Sequence, residues 1–217
     1  MQKIFYVKGF FDYKPYLSNL NVESINKLES YYKFEDKFRS FISEWFKYVV
    51  VTNEIKELFH DISFSIYEDG FKRPHIKNSS HTIIDFNISH SGEYVVLALN
   101  IGSKIGIDIE FIDQKIDYIG LSDSVFTKKE IDLISSPNHF FNLWSKKESL
   151  IKAVGSGFLG DFYTQTALNH DEDQNISYNG NNYQFKKIKI DESYSCYCCL
   201  ENIEYDEFIL SRYEFAS

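Results

Sequence analysis

The pattern of apolar residues in this sequence predicts an α+β fold built from two α/β halves. Apolar side chains recur in three- and four-residue steps from Ile25 to Tyr48 and again within 138–154, the period of helices that bury one face. Short runs rich in β-branched and aromatic residues, bounded by Gly, Asn and Ser, lie between and after them and read as strands. The order of strand, helices and further strands occurs once in residues 1–103 and again in residues 104–217, which we take as the two subdomains.

The elements follow in order. Ile4 to Val7 is a short first strand, and Val22 to Val51 is largely helical through Ile25, Leu28, Tyr32, Phe38, Phe41, Trp45 and Tyr48. A further short helix is expected over Asn53 to Phe59. Strands follow at Ile62 to Tyr67, Ile83 to Ser89 and Glu93 to Asn100, the last two separated by a His-Ser-Gly turn. Ile105 to Glu110 opens the second half as a strand. Thr127 caps a helix with Glu130 three residues on, and Asn138 to Val154 is a longer helix stopped by Gly155. From Tyr163 to Tyr213 the chain reads as strands and turns, with a polar, turn-rich interval from Asn169 to Asn182.

At 217 residues the chain is long enough for a sizeable core. Its 43 % hydrophobic content, 25 % charge and 3 prolines exclude a disordered or collagen-like chain. No apolar stretch approaches the roughly 18 to 20 residues that a membrane-spanning helix needs. The opening residues, MQKIFYVKGF, reach a second lysine at Lys8 before any apolar signal core forms, so the expected location is cytoplasmic. The three cysteines, Cys196, Cys198 and Cys199, fall in one strand-like run with no second pair, and read as small reduced apolar residues. Formal charge is -9, with 12 basic and 13 acidic residues up to Ser103 and 11 and 19 beyond it. Such a balance disfavours nucleic acid and membrane surfaces as partners, and any polyanion must find a local basic pocket. Lys72-Arg73 with Lys77, Lys128-Lys129, Lys146-Lys147 with Lys152, and Lys186-Lys187 with Lys189 are the candidates; most such doublets are solvated faces.

Three segments carry chemistry. In Gly106-Ile107-Asp108-Ile109-Glu110, strand alternation sends the isoleucines to one face and both carboxylates to the other, roughly 7 Å apart. Two such carboxylates suit a hard divalent cation on a phosphate-bearing substrate, and an exposed acidic edge strand has the same pattern. In WSKKESLIKAVGSG, Trp144, Glu148 and Lys152 stand in successive four-residue steps on one helix face. Spacing alone favours a surface ion pair beside a core tryptophan; a third metal ligand with a lysine aimed at phosphate is the functional alternative. In FNISHSG, Ser89 and His90 end a strand where a turn exposes side chains and N–H groups to an anion. The segment argues against a Ser-His nucleophile, because adjacent strand residues point apart and no nucleophile elbow surrounds the serine.

Together, and at these intervals, FNISHSG, GIDIE and WSKKESxxKxxGxG resemble the signature of the Sfp-type 4'-phosphopantetheinyl transferases. The similarity extends to Gly70-Phe71-Lys72-Arg73-Pro74, which resembles the family's Gly-x-Pro turn, and to Tyr31 to Asp36 with Arg39-Ser40. The resemblance implies a pseudo-dimer of two similar α/β subdomains with the active site in the cleft between them. The implied reaction moves phosphopantetheine from coenzyme A to a serine of an acyl or peptidyl carrier protein and releases adenosine 3',5'-bisphosphate. It further implies Mg2+ held by Asp108, Glu110 and Glu148, with Glu148 also the general base and Lys152 on the departing phosphate. Ser89, His90, Arg73-Pro74, Lys27, Arg39 and Ser40 would meet the nucleotide of coenzyme A. Two departures stand out: Arg73 replaces the usual lysine before the proline, and Ser24 stands where some members carry a second basic residue. Carrier docking is expected around Phe111 to Phe126 and the helix after Thr127, and a monomer suffices to build the cleft. The competing readings are a magnesium-dependent phosphohydrolase and a member that binds coenzyme A without catalysis.

Overall fold

The structure, a computed structural model, describes residues 2–70, 73–155, 168–202 and 208–215. Strand β1 (Gln2–Lys8) leads through a 3-10 turn at Lys14–Asn19 into helices α1 (Val22–Glu29), α2 (Phe34–Trp45) and α3 (Val51–Leu58). The helical run expected from Val22 to Val51 is broken after α1, where the Ser30 hydroxyl turns back onto the Lys27 carbonyl at 2.6 Å. A serine competing for helix carbonyls ends a helix readily. Tyr32, counted in the apolar stripe, is therefore 100 % exposed at this corner. A widened π turn over Phe46–Val50 then carries α2 into α3 without a gap, so the separate helix expected at Asn53 is the tail of a longer one.

Strands β2 (Phe64–Glu68) and β3 (Pro74–Asn78) form an antiparallel hairpin. The sequence PHIKN has no alternation, so β3 was not expected. It begins at Pro74, just after the turn in which Asp69 Oδ1 accepts from Arg73 N at 3.0 Å. Phe71 and Lys72 lie outside the described residues. Strand β4 (Ile84–Ser91) runs two residues past the expected end, through His90 and Ser91, and reverses at Gly92, whose φ of 55° favours glycine. Strands β5 (Tyr94–Ile101) and β6 (Ile105–Phe111) follow.

The second half continues with α4 (Tyr118–Val125), α5 (Lys128–Ile131), α6 (Pro137–Val154), β7 (Asp173–Tyr178), β8 (Asn181–Lys187) and β9 (Tyr194–Glu201). Strand β7 lies inside the interval expected to be turn, a polar edge strand held by β8. The expected strands from Tyr163 onward, and Ser156 and Gly157 of the long motif, begin in residues outside those described. With β10 (Ile209–Arg212) included, the sheets are ordered β10-β1-β5-β4 and β6-β9-β8-β7. In each half the last strand of an antiparallel run, β5 or β9, returns antiparallel to the first, β1 or β6. The fold is thus α+β, with two similarly built subdomains. Strand β10 (Ile209–Arg212) lies in the second half of the sequence but pairs parallel with β1, completing the first half's sheet.

Each half buries a core of its own, one around Phe38, Phe41, Phe46 and Phe86, the other around Phe140, Leu143, Leu150 and Phe185. A third cluster joins the sheets: Ile4, Val96 and Ala98 pack against Ile105, Ile107, Ile109, Cys196, Cys198 and Leu200. The three cysteines are buried thiols that fill space as small apolar groups, and burial pushes them well above the usual range.

A polar seam borders that cluster. Along β4, alternate side chains accept from backbone N–H groups of β6 in constant register. Asp85 Oδ2 takes Ile105 N at 2.8 Å, Asn87 Oδ1 takes Ile107 N at 3.0 Å, Ser89 Oγ takes Ile109 N at 3.4 Å and Ser91 Oγ takes Phe111 N at 3.0 Å. The two strands therefore run parallel with side chains in place of the carbonyls of an ordinary ladder. Without them the edge of β6 would bury unpaired N–H groups, each costing about 1–3 kcal/mol.

Candidate active site

The site grows from the seam and from α6. Ser136 caps α6, its hydroxyl accepting from His139 N at 3.2 Å with Pro137 in the first turn, and Gly155 ends the helix at φ 77°. Gly106 lets the helix lie on β6: a Cβ there would collide with the Ser149 carbonyl oxygen and the Ala153 nitrogen. Lys146 and Lys147, expected in a basic patch, are instead wholly buried anchors of α6. Lys146 Nζ donates to the Asn169 and Asp171 carbonyls at 2.8 and 2.7 Å, and burial lowers its pKa to about 8. Lys147 Nζ lies 2.7 Å from Glu130 Oε2 and 3.1 Å from the Val125 carbonyl. With these lysines turned inward, Trp144 and Lys152 reach the carboxylates of β6.

Asp108 is 3 % exposed, so the exposed-edge alternative does not describe it. Its Oδ1 accepts from Lys152 Nζ at 2.6 Å and from Ser89 Oγ at 3.0 Å, while its buried Oδ2 has no hydrogen-bond partner among the described residues. Lys152 also donates to Ser89 Oγ at 2.9 Å; its ion pair is with Asp108 across the elements, where helix spacing had put Glu148. Glu110 is held through Oε1 by Trp144 Nε1 at 3.3 Å and through Oε2 by Ser91 Oγ at 3.0 Å. Burial, and then the neighbouring Asp108 charge, push the Glu110 carboxyl up to about 7. Glu148, 7 % exposed, lines the adjoining cleft. Among the described residues no three His, Cys, Asp or Glu side chains form a ready-made metal cluster.

The cleft holds about 430 Å³ and is walled by both halves: Glu148, Ile151, Lys152 and Gly155 from α6 and its cap, Lys27, Glu44, Lys47, Arg73, Pro74 and His90 from the first half. His90 stands with its ring at the surface of this cleft. The protein packed around it, then the charges of Arg39 and Lys152, hold it below the usual histidine range. Arg73 Nη2 donates to Asp85 Oδ2 at 2.6 Å and to the Ile105 carbonyl at 3.2 Å, and its buried Nη1 has no partner among the described residues. Lys27 Nζ is bonded to Glu44 Oε1 at 2.8 Å, and Ser24, buried, donates to Glu44 Oε2 at 2.7 Å. Arg39 bridges the Gly92 carbonyl and Asp36, at 2.9 and 2.5 Å. Ser40 is buried, its hydroxyl has no hydrogen-bond partner among the described residues, and it is not among the residues lining the cleft. Ser89 is buried in mid-strand and engaged with Asp108, Lys152 and Ile109, whereas a solvent-facing turn had been expected.

Residues 104–199 match the model of the 4'-phosphopantetheinyl transferase superfamily, and residues 11–101 match that of the 4'-phosphopantetheinyl transferase N-terminal domain. The 4'-phosphopantetheinyl transferase gsp of Aneurinibacillus migulanus is 31 % identical over 196 residues, 84 % of this chain and 76 % of that protein. The chain belongs to the 4'-phosphopantetheinyl transferase superfamily. The ffp protein of Bacillus subtilis is 33 % identical over 147 residues, and Sfp of Bacillus subtilis strain 168 is 32 % identical over 148. Both alignments cover 65 % of this chain, and they span 62 and 63 % of those relatives, a little under two thirds.

As a member of this enzyme superfamily, the transferase brings Asp108, Glu110, Glu148, Lys152, Arg73, Pro74 and His90 to one region between its halves. Sequence reasoning missed Asp85, Asn87 and Ser91 of the seam, and Glu44, Lys47 and Glu68 on the cleft wall, where Lys47 bonds Glu44 at 3.1 Å and Glu68 at 2.7 Å. The seam leaves one trace in the sequence, the alternation of Asp85, Asn87 and Ser89 with Ile84, Phe86 and Ile88, which any half-exposed strand would share.

Proposed function

We propose that this transferase moves the 4'-phosphopantetheine group from coenzyme A to a serine hydroxyl of an apo acyl or peptidyl carrier protein, releasing adenosine 3',5'-bisphosphate in a Mg2+-dependent reaction. The observation that carries the reading is one cleft that sets Glu148 and Lys152 of α6, with Asp108 of β6 bonded behind Lys152, against Lys27, Lys47, Arg73 and His90, which stand among the carboxylates of Glu44 and Glu68. The substrate suits such a cleft: coenzyme A bears a diphosphate and a separate phosphate, each requiring neutralisation in a chain of net charge -9.

Asp108, Glu110 and Glu148 are the residues we assign to Mg2+. The fit rests on Asp108 Oδ2, a buried acceptor with no partner among the described residues, and on Glu110, whose raised pKa records the cost of negative charge there. Bound there, the cation would offset charge developing on the phosphoryl oxygens. The chain's own groups would do the rest. Glu148 takes the proton of the carrier serine, which is a weak nucleophile unaided. Lys152, paired with Asp108 at the cleft, stabilises the departing bisphosphate. Arg73 Nη1, His90 and Lys27 are offered to the nucleotide phosphates, with Pro74 beside them; Arg39, Ser40 and Ser89 lie outside the cleft lining.

On this reading residues 1–103 supply most nucleotide contacts and residues 104–217 the metal side, with β10 lent back to the first half. Both walls come from one chain, so a monomer is sufficient. No helix among the described residues is long and apolar enough to cross a membrane. Reduced buried thiols and an intracellular substrate such as coenzyme A support a cytoplasmic location. The test is intact mass spectrometry of an apo carrier protein incubated with this protein, coenzyme A and Mg2+, with and without EDTA. A gain of one phosphopantetheine, lost with EDTA, is the expected result. Cleavage of coenzyme A without transfer would replace the reading with a hydrolase, and no reaction across several carriers would overturn it.

A further inference from the structure

The last rung of the seam has two partners. Ser91 Oγ accepts from Phe111 N at 3.0 Å and donates to Glu110 Oε2 at 3.0 Å. The opposite oxygen of Glu110 takes Trp144 Nε1 at 3.3 Å. Glu110 is thus gripped on both oxygens, by β4 of the first half and by α6 of the second. A free glutamate near a strand end samples several rotamers, at up to about 2 kcal/mol of side-chain entropy when it is fixed. Here that freedom is removed before any ligand arrives, and each oxygen retains a lone pair for a cation.

We propose that Ser91 is a positioning residue for the reaction: its hydroxyl, set in register by the β6 backbone, holds the Glu110 carboxylate in the orientation that receives the divalent cation. This rests on the reading of Glu110 as a cation ligand. A hydroxyl can accept from the Phe111 N–H and donate to Glu110 at once, which alanine cannot do and threonine can. Asn87 provides the comparison inside the same seam. It accepts from Ile107 N at 3.0 Å, yet no carboxylate is bonded to it among the described residues.

The test follows Mn2+, standing in for Mg2+, by electron paramagnetic resonance in the presence of coenzyme A, a readout independent of turnover. Partners that orient a ligand typically contribute about 10–100-fold in metal affinity, so Ser91→Ala should weaken Mn2+ binding by about tenfold or more. Ser91→Thr should restore it, and KM for coenzyme A at saturating metal should stay unchanged in both. Asn87→Ala, which also removes one rung, should weaken Mn2+ binding far less. Equal losses in Asn87→Ala and Ser91→Ala would overturn the proposal, since the seam as a whole would then be responsible. Normal binding in Ser91→Ala with a loss in Glu110→Gln would also overturn it while leaving Glu110 a ligand. Normal binding in both variants would overturn the cation reading with it.

Discussion

At Asp108 three needs meet in one side chain: a seam partner in Ser89, a counterion in Lys152 and an oxygen left open in a buried place. Replacing it should therefore remove chemistry more than structure. Asp108→Ala is expected to abolish phosphopantetheine transfer while circular dichroism and the unfolding midpoint stay close to the parent. Full transfer by that variant would remove Asp108 from the site. Lys152 is 26 % exposed at its side chain and faces both Asp108 and the cleft. Lys152→Ala should lower kcat more than it raises KM for coenzyme A, as expected for a contact that strengthens in the transition state. A loss confined to KM would make it a simple phosphate contact.

Elements show where local sequence stops being informative. The face that carries Asp108 and Glu110, and the stack of Trp144, Glu148 and Lys152, follow from strand and helix periods alone. The seam does not, because Asp85, Asn87, Ser89 and Ser91 alternate as any half-exposed strand does, and only the β6 backbone gives them a use. Lys146 and Lys147 misled for a related reason. Their long stems can run to the surface or inward, and the carbonyls that turn them inward belong to segments far along the chain. Lys147 and Glu130 are an ion pair with both side chains at 0 % exposure, and Glu130 also closes a capping box on Thr127 and accepts from Leu168 N. Lys147→Ala would break that buried ion pair, a change that typically costs about 3–5 kcal/mol. Urea unfolding should show the loss, with α6 and transfer activity failing together; a loss under about 1 kcal/mol would mean that donors such as Thr127 N and Leu168 N hold Glu130 without the lysine.

For the molecule as a whole, the halves are also latched away from the seam. Lys8 of β1 and Tyr94 of β5 both donate to Asp191 at 3.0 Å, and Ser193 N adds a third bond at 2.9 Å. These partners hold the Asp191 carboxyl down from 3.8 to about 2, the Ser193 backbone N–H contributing most. A depressed carboxylate stabilises the folded state above its unfolded pKa, and that contribution is lost as pH falls through the folded value. Asp191→Asn should therefore be less stable than the parent near neutrality, with the gap closing between pH about 4 and about 2 in thermal melts. A constant gap would assign the difference to something other than charge. Strand β10 adds a different kind of closure. It covers one edge of β1, and beyond it Tyr213 bonds Trp45 at 3.1 Å while Phe215 packs on Phe41 and Trp45. During synthesis the ribosome makes these residues only after the entire second half, so at about 5–20 residues per second that edge waits some 5–20 s for its cover. In that interval the nascent first half is open to pairing with a neighbouring chain. A chain cut before Ile209 should leave the edge open for good, and light scattering should show it aggregating where the parent does not.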